Sequence, residues 1–172
     1  LQHQPFKQMP YMVDDEAGIE VYESRSIIKY IAMRVKSTLH VMGDINQVVR
    51  YQTACDVELA NFTIFAEQLT FECLYKEMFT GVPPDPTLVA FLSRMLDTRL
   101  TGYERLLSQQ PYLAGQELTL ADLFHVPNAL AVLEVSLINA DGKSPNVARW
   151  WAEISSRASW TEVAGILGRI PT

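Results

Sequence analysis

The stretch Met9-Pro10-Tyr11-Met12-Val13-Asp14-Asp15-Glu16-Ala17-Gly18-Ile19-Glu20-Val21-Tyr22-Glu23-Ser24 decides how this chain is read. An apolar run from Met9 to Val13 meets a turn-forming segment, Asp14 to Gly18, that is acidic and contains glycine. Ile19-Glu20-Val21-Tyr22 then alternates with the period of two expected of a half-buried strand. Two short strands around such a turn predict a β-hairpin. Ser24 is suited to cap a following helix, whose apolar stripe is Ile27, Ile28, Ile31 and Ala32. A two-stranded hairpin with one helix does not hold together alone in water. Either the unit leans on the rest of the chain, or further strands precede it in a longer protein. The chain opens on Leu1 rather than methionine, which favours an N-terminal truncation and leaves open a removed targeting segment.

Downstream, the helical pattern fades at Val35–Gly43, which reads as a linker. From Asp44 every strong signal is helical. Asp44 and Gln47 suggest a capping box before a very long helix reaching about Met78, ended by Gly81-Val82-Pro83-Pro84. Asp85 caps a second long helix with Pro86 at its first position, running to about Ser108. Gln109–Gly115 is a loop. Thr119-Leu120-Ala121-Asp122 is another capping box, with Leu118 and Leu123 as a hydrophobic staple, opening a helix expected to reach about Leu137. Ser144-Pro145 opens the helix that carries Trp150 and Trp151, and Ser159-Trp160-Thr161-Glu162 reads as the box before a short last helix. The expected organisation is a β-β-α unit over residues 1–34, a linker over 35–43 and an all-helical domain over 44–172.

Apolar residues make up 48% and charged residues 20% of the 172, which is the composition of a globular protein. The net charge is -6 and the basic residues are scattered, which argues against nucleic-acid and anionic-membrane partners. No apolar run approaches the roughly 18 residues of a membrane span. Cys55 and Cys73 lie inside helical patterns and read as reduced thiols, which suits a cytoplasmic setting. His3, His40 and His125 are isolated, without metal-ligand spacing, so each reads as a satisfied polar or core histidine. Asp122 reads as a structural cap whose loss costs about 1 kcal/mol.

Two candidate sites flank the hairpin. At Gln8-Met9-Pro10 the residue before proline is held extended. With a cis imide, the N–H and C=O of Met9 would face outward and pair with an extended peptide as an added strand does. Read alone, the tripeptide more often marks an ordinary trans proline at a strand start. At Glu23-Ser24 the hydroxyl and the free N–H groups of a helix start would seat a carboxylate, and Glu23 would accept from an ammonium. Read alone, this pair is more often a plain cap beside a solvated carboxylate. Together the two sites suit a γ-glutamyl peptide.

Pro5-Phe6-Lys7-Gln8-Met9-Pro10 followed by Tyr22-Glu23-Ser24-Arg25-Ser26-Ile27 resembles the glutathione-binding half of the thioredoxin-like domain in cytosolic glutathione transferases, most nearly the phi class of plants and its fungal relatives. The likeness continues through Phe71–Asp85, Tyr112-Leu113-Ala114-Gly115, Leu118–Leu123 and Pro145–Trp160. The resemblance implies an α/β thioredoxin-like remnant followed by the all-helical domain, with the family's N-terminal β-α-β segment missing. It implies glutathione as co-substrate, no metal, a homodimer in the cytoplasm, and attack by the glutathione thiolate on small hydrophobic electrophiles or reduction of organic peroxides. Only the thiolate attacks well, and a hydrogen bond donated to the sulfur favours it. The serine that gives this bond in phi-like enzymes is expected upstream of Leu1, so no catalytic residue is assigned and the chain alone is expected to be a poor catalyst.

By the same resemblance, Gln8 and Met9 touch the glycyl and cysteinyl parts of glutathione, Pro10 is cis, and Glu23 and Ser24 hold the γ-glutamyl end. The family pattern has glycine where this chain has Lys7. Phe62, Phe65 and Leu69 are the candidate lining of an electrophile pocket, against the plainer reading that they pack the helical core. Phe6 is a candidate for the subunit interface or the core, and Arg25 for the subunit interface or solvent. A non-enzymatic binding or regulatory protein on the same scaffold is the alternative, since fold does not fix function.

Overall fold

The computed structural model describes residues 4–128 and 144–167. Strands β1 (Tyr11–Asp14) and β2 (Ile19–Tyr22) pair antiparallel, with Tyr11 opposite Tyr22 and Asp14 opposite Ile19. The turn closes because Asp14 Oδ1 accepts the Ala17 N–H at 3.0 Å and Gly18 takes a left-handed φ of 63°, which glycine adopts without strain. Helix α1 (Ser24–Arg34) returns along the hairpin, and Tyr30 donates its hydroxyl to Asp14 Oδ2 at 2.6 Å. The cap expected at Ser24 lies one residue earlier. Ser24 is the first helical residue, Glu23 is the boundary residue, and no side chain among the described residues caps this end.

Residues 35–43 carry no helix or strand. This segment is tied to the helices: Leu39 O accepts the Leu120 N–H at 2.8 Å, and His40 Nδ1 lies 3.1 Å from the Tyr51 hydroxyl. A long helical rod follows. Asp44 Oδ1 accepts the N–H groups of Asn46 and Gln47, and α2 (Ile45–Glu58) begins. It passes through a π turn (Leu59–Thr63) into α3 (Ile64–Thr70), and through a second π turn (Phe71–Tyr75) into α4 (Lys76–Thr80). Gly81, at φ 69°, ends the rod as its left-handed cap.

Asp85 caps α5 (Pro86–Leu107) by accepting from Thr87 and Leu88. Its inward residues Leu92, Leu96, Leu100, Tyr103 and Leu107 recur every three or four positions, so they form one buried stripe. The Thr119 capping box opens only a single turn, α6 (Leu120–Leu123), followed by a 3-10 turn at Val126–Asn128. The longer helix expected here is therefore interrupted. Pro127 has no N–H to donate, and its ring would meet the carbonyl four residues back. The rest of that expected helix, to Leu137, lies outside the described residues, as does His3.

Helix α7 (Pro145–Ser155) buries Val147, Trp150, Trp151 and Ile154 on one face. Its first N–H groups, from Asn146 and Val147, are accepted by Glu104 Oε2 at 3.0 Å, a cap supplied from α5. The last helix, α8, spans Ala158–Leu167, so Ser159 lies inside it and not at its cap. The Arg157 carbonyl takes the first bonds, from the Trp160 and Thr161 N–H groups. The core lies where α3 and α7 pack against α5 and where α6 packs against α2.

Candidate functional site

The register of the hairpin brings the two candidate sites together. With Tyr11 opposite Tyr22, the next positions outward are Pro10 on one strand and Glu23 on the other. Gln8-Met9-Pro10 and Glu23-Ser24 thus share the open end of the hairpin, where paired strands run about 5 Å apart. All five residues are exposed, and the Met9–Pro10 bond is cis. Met9 is 94% exposed, so its side chain stands clear of the fold and its backbone is free to meet a ligand.

The approach to Met9 is organised by Gln4, a residue with no signal in the sequence. Gln4 is buried, its Oε1 accepts the Phe6 N–H at 2.6 Å, and its carbonyl accepts the Lys7 N–H at 3.2 Å. Lys7 takes a φ of 58°, in the left-handed region. This accounts for the departure noted at Lys7: a position that suits glycine here holds a lysine.

Glu23 is the most unusual backbone in the site, at φ 70° and ψ 118°. A non-glycine residue held there costs on the order of 1–3 kcal/mol, and such outliers cluster where a ligand is clamped. The N–H groups of Ser24, Arg25 and Ser26 make no hydrogen bond among the described residues; the first helical bond runs from Ile27 N–H to Glu23 O at 2.9 Å. The first turn of α1 contains no acidic residue. The free N–H groups and the positive end of the helix dipole are therefore open to a carboxylate, and the exposed Glu23 beside them to an ammonium.

Behind this end, Arg25 turns inward. Its Nε and Nη2 donate to Glu58 Oε2 and Oε1, each at 2.8 Å, and Nη2 also reaches Thr63 Oγ1 at 2.7 Å. Glu58 is fully buried. Thr63 donates its hydroxyl to the same carboxylate, and the guanidinium lies 5.5 Å from the Phe124 ring centre. Arg25, read from the sequence as a subunit contact or as solvent-facing, is paired internally while its side chain stays 29% exposed. The buried carboxylate was invisible because Glu58 lies 33 residues from Arg25.

Of the candidate electrophile lining, two residues follow the plainer reading of core packing. Phe62 and Leu69 are 1% and 0% exposed and belong to the core. Phe62 packs against His125, ring centres 4.6 Å apart. Phe65 is half-buried under Arg99, 5.8 Å from its ring centre. A cleft of about 380 Å³ lies elsewhere, lined by Ile64, Glu67, Gln68, Phe71, Glu72 and Leu88. Phe6 stays 66% exposed, with the Tyr22 ring 6.5 Å away.

His40 and His125 are both hydrogen-bonded inside the fold. Among the described residues no group of three or more His, Cys, Asp or Glu could hold a metal ion, and no helix is long and apolar enough to cross a membrane. Cys55 is buried and Cys73 is partly exposed.

Comparison with known proteins gives a consistent answer. The family description "Glutathione S-transferase, C-terminal domain" matches residues 62–158. Glutathione S-transferase hmp2 of Hypomyces subiculosus is 34% identical over 163 residues, covering 93% of this chain and 76% of the relative. Glutathione S-transferase PM239X14 of Arabidopsis thaliana is 35% identical, covering 87% of this chain and 69% of the relative. Among solved structures, glutathione S-transferase I from maize, in complex with an atrazine glutathione conjugate, superposes with a TM-score of 0.88 at 30% identity, covering 98% of this chain and 78% of that one.

Proposed function

The chain belongs to the glutathione transferase family, and we propose that its exposed hairpin end holds glutathione for transfer to a small hydrophobic electrophile. The tripeptide lies along Met9 with its backbone paired as an added strand. Gln8 and Pro10 flank its cysteinyl-glycine part. Its γ-glutamyl carboxylate meets Ser24 and the free N–H groups of α1, and its ammonium meets Glu23. Residues 1–34 form the glutathione-binding unit, 35–43 the linker and 44–172 the helical domain. The single observation that supports this most is the strand register, which sets Pro10 next to Glu23. Holding the thiol in place converts a collision between two solutes into a reaction within one complex. No residue of this chain is assigned as donor to the sulfur.

The working form is a cytoplasmic homodimer in which Phe6 enters the second subunit. The exposure of the ring supports its entry into a second subunit. The same site could reduce organic peroxides, with glutathione as reductant.

Retention on immobilised glutathione tests the site, and Ser24→Ala should abolish it. Turnover of a generic aryl halide tests the reaction. Tight glutathione binding without turnover of any electrophile or peroxide would favour a binding or regulatory protein on this scaffold.

A further inference from the structure

Lys7 sits in a backbone conformation that suits glycine and strains a lysine. Its φ is 58°, in the left-handed region, and glycine is the residue of the family pattern at this position. Strained residues of this kind gather at ligand clamps. The loop holds Lys7 there through Gln4, whose carbonyl accepts the Lys7 N–H at 3.2 Å and whose Oε1 accepts the Phe6 N–H at 2.6 Å. The side chain itself is exposed and makes no ion pair among the described residues. The other cations around the hairpin and α1 are engaged elsewhere. Arg25 pairs with Glu58 at 2.8 Å, and Arg34 lies 3.4 Å from Asp14 and 3.6 Å from Glu16. The Lys29 ammonium lies 5.9 Å from the ring centres of Tyr51 and Phe124. Lys36 lies beyond the far end of α1. The open end of the hairpin is thus left with one unpaired positive charge among the described residues, three positions before Pro10.

We propose that Lys7 is a specificity-determining residue of this chain: its ammonium binds the glycyl carboxylate and selects thiol peptides that end in a free acid. The inference rests on the glutathione reading above and deepens it. The hairpin register sets the direction of the ligand. Its γ-glutamyl end is at Glu23, which lies beside Pro10. Its cysteinyl backbone pairs at Met9. The ligand then continues away from Glu23, past Gln8 toward Lys7, at about 3.3 Å per residue. Its last group is a carboxylate, and a lysine offers a compact charge on a flexible four-carbon stem to meet it. The whole chain carries a net charge of -6, which repels an anionic peptide, so a single cation placed on its path changes the local field. The pair is open to solvent, so its contribution is modest and falls as salt rises.

The test uses the full-length protein, titration calorimetry and two probes: S-methylglutathione, and the same molecule with its glycyl carboxylate replaced by a neutral carboxamide. Lys7→Gly suits φ 58° and removes the charge, so it should melt at or above the wild-type temperature. It should raise Kd for S-methylglutathione about three- to fivefold and leave Kd for the carboxamide unchanged. Lys7→Glu should raise the first Kd about tenfold or more, and Lys7→Arg should keep it near the wild-type value. In about 1 M salt, where the screening length is about 3 Å, wild type and Lys7→Gly should converge. An unchanged Kd for S-methylglutathione in Lys7→Gly overturns the inference while the glutathione site stands. So does an equal loss for both probes, which would make Lys7 a support of the loop. Failure of the wild type to bind S-methylglutathione overturns both readings.

Discussion

Trp150 donates its indole N–H to Asp122 Oδ1 at 3.0 Å, with both side chains closed to solvent. The same carboxylate accepts the Leu113 N–H at 2.9 Å and, on Oδ2, the Thr119 N–H at 2.9 Å and hydroxyl at 3.0 Å. One aspartate thus joins the loop before α6, the start of α6 and the aromatic face of α7.

Asp122→Ala leaves four donors unsatisfied in the core. The expected cost is about 3–5 kcal/mol, well above the roughly 1 kcal/mol of an exposed cap. Urea denaturation of wild type and variant measures it. A loss below about 1 kcal/mol would mean that the capping box alone matters.

His125 is fully buried, and its Nδ1 lies 3.0 Å from Ala121 O and 3.1 Å from Asp122 O. Both partners are acceptors, so Nδ1 carries the proton, and Nε2 accepts from the Tyr103 hydroxyl at 3.1 Å. Burial pushes the imidazole below its ordinary pKa, against the pull of Glu58 and Asp122. His40 is lowered too, by burial and then by Lys29. A histidine whose pKa is depressed on folding stabilises the fold fully above about pH 6.5, and that stability falls as pH drops through 6.5 toward the folded value. The carboxylates lowered on folding, Asp14 and Glu72, act only below about 4.5. Urea midpoints should therefore decline between pH 7.5 and 5.5, and His125→Gln should flatten the decline. An equal slope in the variant would move the effect to His40.

How much of this could be read in advance follows from the range of each signal. The hairpin, the Asp44 and Asp85 caps, the Gly81 stop and the helix opened at Pro145 that carries Trp150 and Trp151 are local patterns, and the structure has each of them. The π turns were not legible, because they insert residues into the rod without breaking its apolar pattern; the core positions of Phe62 and Leu69 match the plainer reading of that pattern. Ser159 failed as a cap because Arg157, two residues earlier, offers its carbonyl first. Of the site, Met9-Pro10 and Glu23-Ser24 were legible as motifs, whereas Gln4 beneath the loop and Glu58 beneath Arg25 act through long-range or backbone bonds that no spacing rule encodes.

Glu23→Gly separates folding from binding. Glycine adopts φ 70° freely, so local strain on the order of 1–3 kcal/mol is relieved, offset by roughly 0.5–1 kcal/mol of chain entropy. The variant should melt at or above the wild-type temperature. Its retention on immobilised glutathione should fall sharply, because the acceptor for the ammonium is gone. A variant that melts lower and still binds would show that the Glu23 side chain serves the fold.

Phe6→Ala tests the assembly. The ring is 66% exposed and meets one aromatic neighbour among the described residues, Tyr22 at 6.5 Å, so truncation should leave the fold intact. Seated in a second subunit, the same ring would be an interface anchor, worth about 2 kcal/mol or more per truncation. A symmetric dimer uses the anchor twice, so the dissociation constant should rise by about three orders of magnitude. Sedimentation velocity over micromolar concentrations reads the shift, with circular dichroism as the control for folding. A variant that stays dimeric at the lowest concentration would remove Phe6 from the interface, and a loss of helical signal would return the ring to the core.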